Sequence, residues 1–103
     1  MPIMVIYRLP GLTPDAYDAV RVEVGWEARP PAGAISHAIG FDRAGGIETD
    51  LWETRENFQA YVRDRLAPVA EALGVDLPEP EVIQLHMTAM GPPSRVYMLN
   101  EPA

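Results

Sequence analysis

Short apolar runs and longer segments with helical periodicity follow one another along residues 1–90, and Pro and Gly separate them. Four of the runs have the length and the Val, Ile and aromatic content of β-strands. Two other segments repeat apolar residues every three or four positions, as an amphipathic helix does. The order along the chain is therefore strand, helix, strand, strand, helix, strand.

That order predicts an α+β protein with a ferredoxin-like βαββαβ fold and a four-stranded antiparallel sheet. Thr13-Pro14 begins the first helix, which we expect to end near Trp26, and Thr54 caps the second helix. Pro68 is expected to kink that second helix. The predicted strands span 3–9, 33–41, 47–53 and 82–89. The predicted apolar stripe of the second helix comprises Phe58, Val62, Leu66, Val69 and Leu73.

The first strand is apolar on both of its faces, since Met4 and Ile6 alternate with Ile3 and Val5. Two helices cover only one face of a four-stranded sheet. We therefore expect a homodimer in which a second copy places its sheet against the first. A chain of 103 residues is also short for enclosing a deep pocket alone.

Charge and cysteine content exclude several classes of function. The chain has 15 acidic residues and 8 basic ones, all arginine, for a net charge of −7, which argues against nucleic acid and anionic membranes as partners. Because it has no Cys, it has no thiolate nucleophile and no sulfur zinc ligand. The first apolar run meets Arg8 too early for a signal peptide or a membrane span, so we expect a cytoplasmic protein. We expect no metal and no cofactor, because the sequence has neither a zinc-ligand spacing nor a dinucleotide fingerprint.

His37 and His86 are the side chains with an ordinary pKa near neutrality and are the first candidates for proton transfer. The predicted topology puts them on strands two and four, the two sheet edges, about 14 Å apart. They cannot pair within one chain. A contact across the dimer, which a carboxylate could extend to a metal site, remains open, as does a purely structural role for each histidine.

Asp50 and Trp52 share one face of strand three. If the helices cover that face, Asp50 needs a partner such as Tyr17, Arg8 or a histidine, because an unpaired buried carboxylate is costly. Tyr17 lies on the apolar stripe of the first helix, either as a hydrogen-bond donor to a ligand or as a core residue. The hairpin register decides between an exposed and a buried Asp50, and the sequence leaves that register open. Arg63-Asp64-Arg65 is expected to be a solvated surface.

The segment from Leu51 to Phe58, Leu-Trp-Glu-Thr-Arg-Glu-Asn-Phe, resembles the W-E-[ST]-x-E-x-F junction of the dimeric α/β-barrel superfamily, which includes the antibiotic biosynthesis monooxygenase family. The chain is similar to small uncharacterised actinobacterial members through three blocks. These blocks are Pro10-Gly11-Leu12-Thr13, His37-Ala38-Ile39-Gly40 and Asp50-Leu51-Trp52-Glu53. The resemblance implies a dimeric α/β barrel in which Trp52 faces a cavity between sheet and helices. Haem-degrading members are expected to have an Asn on strand one and a His on helix two, which are absent here.

The resemblance implies a cofactor-independent monooxygenase-like enzyme that acts on a small aromatic or polyketide-type substrate. Asp50, His37 or His86 would take a proton, and Tyr17, Trp52 and Phe58 would line the cavity. Two alternatives remain: a non-catalytic ligand-binding or structural dimer, and a cyclase or isomerase using the same acid-base groups. Residues 1–90 form the predicted domain and 91–103 a tail, whose segment 96–99 is expected to cross to the partner.

Overall fold

The structure is a computed structural model that describes residues 1–91. Its elements are β1 (Ile3–Pro10), α1 (Pro14–Val24), β2 (Ala34–Asp42), β3 (Gly45–Trp52), α2 (Arg55–Tyr61), a π-helical segment (Val62–Leu66), α3 (Ala67–Ala72) and β4 (Glu81–Gln84). The four strands form one antiparallel sheet in the order β2-β3-β1-β4. This arrangement confirms the predicted α+β, ferredoxin-like fold, with β2 and β4 at the sheet edges.

Local capping fixes both helix starts where the sequence predicts them. The Thr13 hydroxyl accepts a hydrogen bond from the Ala16 N–H at 3.2 Å, and the Thr54 hydroxyl accepts one from the Asn57 N–H at 3.0 Å. Helix α1 ends at Val24 because Gly25 takes the left-handed conformation, with φ of 66°. The chain that follows α1 is therefore irregular, and it carries Trp26.

The second helical stretch is not a single regular α-helix. A π-helical segment at 62–66 lies directly before Ala67 and Pro68, and Pro68 has no N–H to continue the usual ladder. The wider turn shifts the apolar stripe, so the buried residues are Phe58, Tyr61, Leu66 and Ala70. The predicted stripe is therefore wrong at Leu73, which is exposed, and it omits Tyr61.

The last strand is shorter than the sequence predicts: it spans 81–84, not 82–89. Ile3 pairs with Gln84, and the Leu85 N–H donates to the Pro2 carbonyl at 3.0 Å. Pro2 has no N–H to donate in return, so the β1–β4 ladder ends there. His86 consequently lies beyond β4 and is exposed.

The hairpin of β2 and β3 sets the register on which the site depends. Asp42 pairs with Gly45, and the Asp42 carboxylate accepts from the backbone N–H groups of Ala44 and Gly45 at 2.8 and 3.2 Å. Gly45, at φ of 142°, sits so close to β1 that a Cβ there would meet the Leu9 carbonyl. With this two-residue loop, His37 lies directly opposite Asp50.

The two faces of the sheet differ in what covers them. The face toward the helices carries the buried core, in which Ile3, Val5, Tyr7 and Leu9 of β1 are all 7% exposed or less. The other face carries half-buried or exposed apolar side chains on three strands: Met4, Ile6, Ile47, Leu51 and Ile83. A homodimer that covers this open face therefore stays a prediction.

Within residues 1–91, no helix combines the length and apolar character needed to cross a bilayer. The predicted crossing of the tail at 96–99 falls outside the described residues. The predicted solvated surface at 63–65 is correct for Arg63 and Asp64, which form an exposed ion pair at 2.8 Å. It is wrong for Arg65, whose guanidinium donates to the carbonyls of Val24 and Arg29.

Candidate functional site

Three polar side chains from three different elements form a continuous hydrogen-bonded chain. His37 Nδ1 lies 2.7 Å from Asp50 Oδ1, and the Tyr17 hydroxyl lies 2.6 Å from His37 Nε2. A carboxylate only accepts, so Nδ1–H donates to Asp50 and Nε2 is left as the acceptor. When the imidazole is neutral, the Tyr17 O–H therefore donates to Nε2, which sets the direction of both hydrogen bonds.

The local structure explains why these three meet. His37 and Asp50 are cross-strand partners on the face of the sheet that the helices cover. Tyr17 lies one helical turn before Val20 on the inward side of α1, and its ring stacks on the imidazole at 6.1 Å between centroids. Asp50 is 1% exposed. Burying its carboxylate is tolerable because the imidazole donates to it.

A second carboxyl group, that of Glu48, belongs to the same cluster. It lies two residues before Asp50 on the same face of β3, and its Oε1 is 4.0 Å from His37 Nε2. Its cross-strand partners are Tyr7 on β1 and Ile39 on β2. Two buried carboxyl groups therefore share one histidine.

The surroundings of this cluster raise the pKa values of Glu48, His37 and Tyr17. Burial, reinforced by the negative charge of Asp50, raises the pKa of Glu48 to about 8, and His37 offsets only part of this. Burial opposes charge on His37, but the hydrogen bond and the charge of Asp50, with that of Glu48, outweigh it and raise its pKa above the ordinary value. Burial also raises the pKa of Tyr17, so its hydroxyl keeps its proton.

His37, Glu48 and Asp50 are also the residues at this site that could hold a metal ion, since one donor atom from each lies within 4.8 Å of the others. One nitrogen and two carboxylates suit a divalent cation. Asp50 already accepts the Nδ1–H, so a cation would have to bind Nε2 and Glu48. Tyr17 would then have to leave Nε2, which it occupies at 2.6 Å.

Aromatic rings form the wall next to this cluster. Trp26 packs on His37 at 4.9 Å and edge-on against Tyr61 at 5.5 Å. Trp52, which is fully buried, packs against both rings, at 5.4 Å from Trp26 and 5.1 Å from Tyr61, and also contacts Phe58. The sequence predicts Trp52 and Phe58 in the cavity wall, whereas the structure puts Trp26 and Tyr61 there because these two rings cover Trp52.

The cavity between α1, the sheet and the π-helical segment has a volume of about 30 Å³. It is lined by Tyr17, His37, Glu48, Trp26 and Tyr61 among others, and Arg21 and Glu27 lie at its rim as an ion pair. This volume holds about one water molecule. A larger ligand therefore has to displace the rim, and a partly exposed ion pair is worth only about 0–1 kcal/mol, so this displacement costs little.

The predicted candidate His86 and a second groove both lie away from the cluster. His86 is exposed beyond the end of β4, on the edge of the sheet opposite β2, so within one chain the structure does not bring it to His37. A wider groove of about 410 Å³ is bordered by the end of β1, the start of α1 and residues 74–78. Among the described residues, Asp76 is the one acidic residue that lines this groove, and no histidine lines it.

Sequence reasoning singled out Tyr17, His37 and Asp50 but missed Glu48, Trp26 and Tyr61. The alternation of side chains in a strand gives the missing signal for Glu48, because that rule places it on the same face as Asp50. Tyr61 lies three residues after Phe58, a helical neighbour position. Trp26 lies past the end of α1 in irregular chain, where no periodicity places it.

No protein-family model matches this sequence, and no functionally curated protein matches it either. Several solved structures have a similar fold. A candidate antibiotic biosynthesis monooxygenase from Chloroflexus aurantiacus J-10-fl gives a TM-score of 0.63 at 16% identity, covering 87% of this chain and 98% of that one. SnoaB, a cofactor-independent oxygenase from Streptomyces nogalater, also gives 0.63, at 15% identity and with 84% and 95% covered.

A third similar structure is Rv0793 from Mycobacterium tuberculosis, with a TM-score of 0.60 at 18% identity and with 87% and 100% of the two chains covered. The structural neighbours thus include antibiotic biosynthesis monooxygenase-like proteins, as the resemblance of the 51–58 segment predicts. At these identities the similarity establishes the fold.

Proposed function

We propose that this protein is a cofactor-independent monooxygenase-like enzyme for a small aromatic or polyketide-type substrate, with Tyr17, His37 and Asp50 as its base. The observation that carries the proposal is the pair of hydrogen bonds, 2.6 and 2.7 Å long, that joins these residues at a cavity. The fold of SnoaB, a cofactor-independent oxygenase, supports the same reaction class. Fold similarity alone would not suffice, because one fold serves many activities.

The hydrogen-bonded chain defines the route of the proton. Tyr17 occupies Nε2, so the substrate proton passes to the Tyr17 oxygen as the Tyr17 proton moves to Nε2. The two transfers occur together, because burial disfavours a free Tyr17 phenolate. Asp50 stabilises the imidazolium that results.

The oxygen step then balances without an external reductant. A substrate CH₂ group that has lost one proton donates electrons to O₂, and a carbon–oxygen bond forms. Loss of the second hydrogen and cleavage of the O–O bond convert CH₂ to C=O, while the second oxygen atom leaves as water. The four electrons that reduce O₂ all come from that carbon. Trp26 and Tyr61 would keep bulk water away from the reactive carbanion.

Oxygen uptake with anthrone as the substrate tests this proposal. The wild-type protein should consume O₂ and form anthraquinone, and His37→Asn should lose at least about 100-fold in rate. His86→Asn is the matched control, because His86 is exposed and lies away from the cavity, and it should react like the wild type. Equal rates for His37→Asn and the wild type would contradict the proposal.

The small cavity favours a second candidate, the structural form of the non-catalytic dimer. A volume of about 30 Å³ admits one water molecule, and the Tyr17–His37–Asp50 chain would then be a buried polar network. In that case the wild-type protein would not consume O₂ with anthrone, and His37→Asn would change only the free energy of unfolding.

A further inference from the structure

We propose that Glu48 is the acid of this site, that it donates a hydrogen bond to a substrate carbonyl oxygen, and that the substrate is consequently an enolisable ketone. The inference rests on the proposed function in that Tyr17, His37 and Asp50 supply the base. It adds Glu48 as the group that binds the carbonyl oxygen of the substrate, and it therefore limits the substrate to ketones.

The position of Glu48 is that of a group facing a ligand. It lines the cavity together with Tyr17 and His37 and is 9% exposed. Within residues 1–91, its one ion-pair contact is the 4.0 Å approach to His37 Nε2, which is too long for a hydrogen bond. Asp50, by contrast, has its partner at 2.7 Å. The two carboxyl groups therefore differ in role: Asp50 orients the histidine, and Glu48 is left facing the cavity.

The surroundings of Glu48 keep its carboxyl group protonated near neutral pH. Burial, together with the charge of Asp50, raises its pKa to about 8, and a neutral acid has an O–H to donate. The titratable or charged groups that face it from the packed elements are Tyr7 on β1, His37 on β2, Asp50 on β3, Tyr17 and Arg21 on α1, Glu27 after α1 and Tyr61 on α2. Arg21 is already paired with Glu27 at the rim.

A base and an acid that line the same cavity are suited to the enolisation of a ketone. A C–H bond next to the carbonyl, or conjugated to it, breaks, and its proton enters the chain at the Tyr17 oxygen. The electron pair moves onto the carbonyl oxygen, where the Glu48 O–H stabilises the negative charge. This step needs no oxidant. The enolate can then react with O₂ or attack an electrophile, so enolisation is common to the monooxygenase and the cyclase or isomerase alternatives.

Exchange of the anthrone CH₂ protons with D₂O without oxygen, followed by NMR and corrected for the buffer rate, tests the inference. Glu48→Ala should lose at least about tenfold in exchange rate at pH 7. Glu48→Gln keeps the shape of the side chain and an N–H donor at every pH, so it should exchange faster than Glu48→Ala. The wild-type rate should fall above about pH 8, as Glu48 ionises, and Glu48→Gln should lack that fall.

An exchange rate in Glu48→Ala equal to the wild-type rate, or the same alkaline fall in Glu48→Gln, would overturn the inference. Glu48→Gln, checked by circular dichroism, keeps the test decisive if Glu48→Ala does not fold. These measurements can contradict the oxygenase proposal and the Glu48 proposal independently. Exchange that depends on Glu48 without any O₂ uptake contradicts the oxygenase and supports the acid, whereas O₂ uptake and exchange both unchanged in Glu48→Ala contradict the acid alone. An absence of both in the wild type contradicts both.

Discussion

His37 and Asp50 face each other across β2 and β3, and the imidazole Nδ1 lies 2.7 Å from Asp50 Oδ1. Within the described chain this contact pairs a carboxylate that is 1% exposed, and it directs Nε2 toward Tyr17. This hydrogen bond thus satisfies a buried carboxylate, which the fold requires, and also orients the imidazole. Changing either residue affects both, so each prediction needs a measurement that separates stability from proton affinity.

Asp50→Asn should lower the pKa of His37. The carboxylate raises that pKa through its hydrogen bond and its negative charge, and an Asn amide can keep the hydrogen bond but not the charge. NMR titration of the His37 ring protons measures the change. Asp18→Asn is the control, because Asp18 is an exposed acid on α1. An unchanged His37 titration in Asp50→Asn would show that Asp50 does not set the proton affinity of the site.

Glu48 should make the protein less stable as the pH rises. Its pKa is about 8 in the folded chain and near 4.5 when unfolded, so between these values the folded state binds more protons. The free energy of unfolding therefore falls with increasing pH in this window. Each pH unit is worth at most about 1.4 kcal/mol, so we expect a loss of about 1–3 kcal/mol between pH 6 and pH 8.

Urea unfolding at several pH values checks this prediction. His37 contributes a slope of the same sign, because its pKa is also raised on folding, so the difference between wild type and Glu48→Gln isolates the effect of Glu48. The variant should be the more stable protein at pH 8. A parallel pH dependence in the two proteins would mean that Glu48 ionises in the folded state as it does in the unfolded chain.

The order of the elements could be predicted because periodicity and capping are local properties. The failures arise where a distant residue decides. The extent of β4 depends on where β1 offers partners, and Pro2 ends that ladder. The stripe of the second helical stretch changes phase at the π-helical segment, so a period measured through 62–66 puts Leu73 on the wrong face.

The site depended on the length of one loop. With the two-residue loop Arg43-Ala44, His37 pairs with Asp50, whereas a loop longer by one residue would pair His37 with Thr49 or Leu51, whose side chains lie on the other face of β3. The sequence Asp-Arg-Ala-Gly-Gly is compatible with either loop length, so the pairing of His37 with Asp50 could not be predicted. Glu48 was within reach of the alternation rule, but nothing local distinguishes a buried Glu from an exposed one.

The open face of the sheet should form the homodimer interface. Ile6→Glu places a charge among the half-buried apolar side chains of this face and should give monomers in sedimentation equilibrium at micromolar concentration. Val22→Glu is the control, because Val22 is 74% exposed on the outer side of α1. The wild-type Tm should rise with protein concentration. A wild-type monomer with a concentration-independent Tm would contradict the dimer.

Arg65 should hold in place the segment 24–29, which carries the cavity-lining Trp26. Its guanidinium donates to the carbonyls of Val24, at 2.6 Å, and Arg29, at 2.9 Å, and lies 5.8 Å from the centre of the Tyr61 ring. It thus joins the π-helical segment to the chain that carries Trp26. Arg65→Ala should lower the free energy of unfolding by about 1–3 kcal/mol, since charged hydrogen bonds to two carbonyls are lost.

The control for Arg65 is its neighbour two residues earlier. Arg63 is exposed and pairs with the adjacent Asp64, so Arg63→Ala should unfold like the wild type. Acrylamide quenching supplies a second measurement: Trp26 is only partly covered, and loosening its segment should increase quenching in Arg65→Ala, while the buried Trp52 contributes little. Equal stability and equal quenching in the two variants would mean that segment 24–29 keeps its position without Arg65. Packing of Trp26 on Tyr61 and Trp52 would then suffice to hold it.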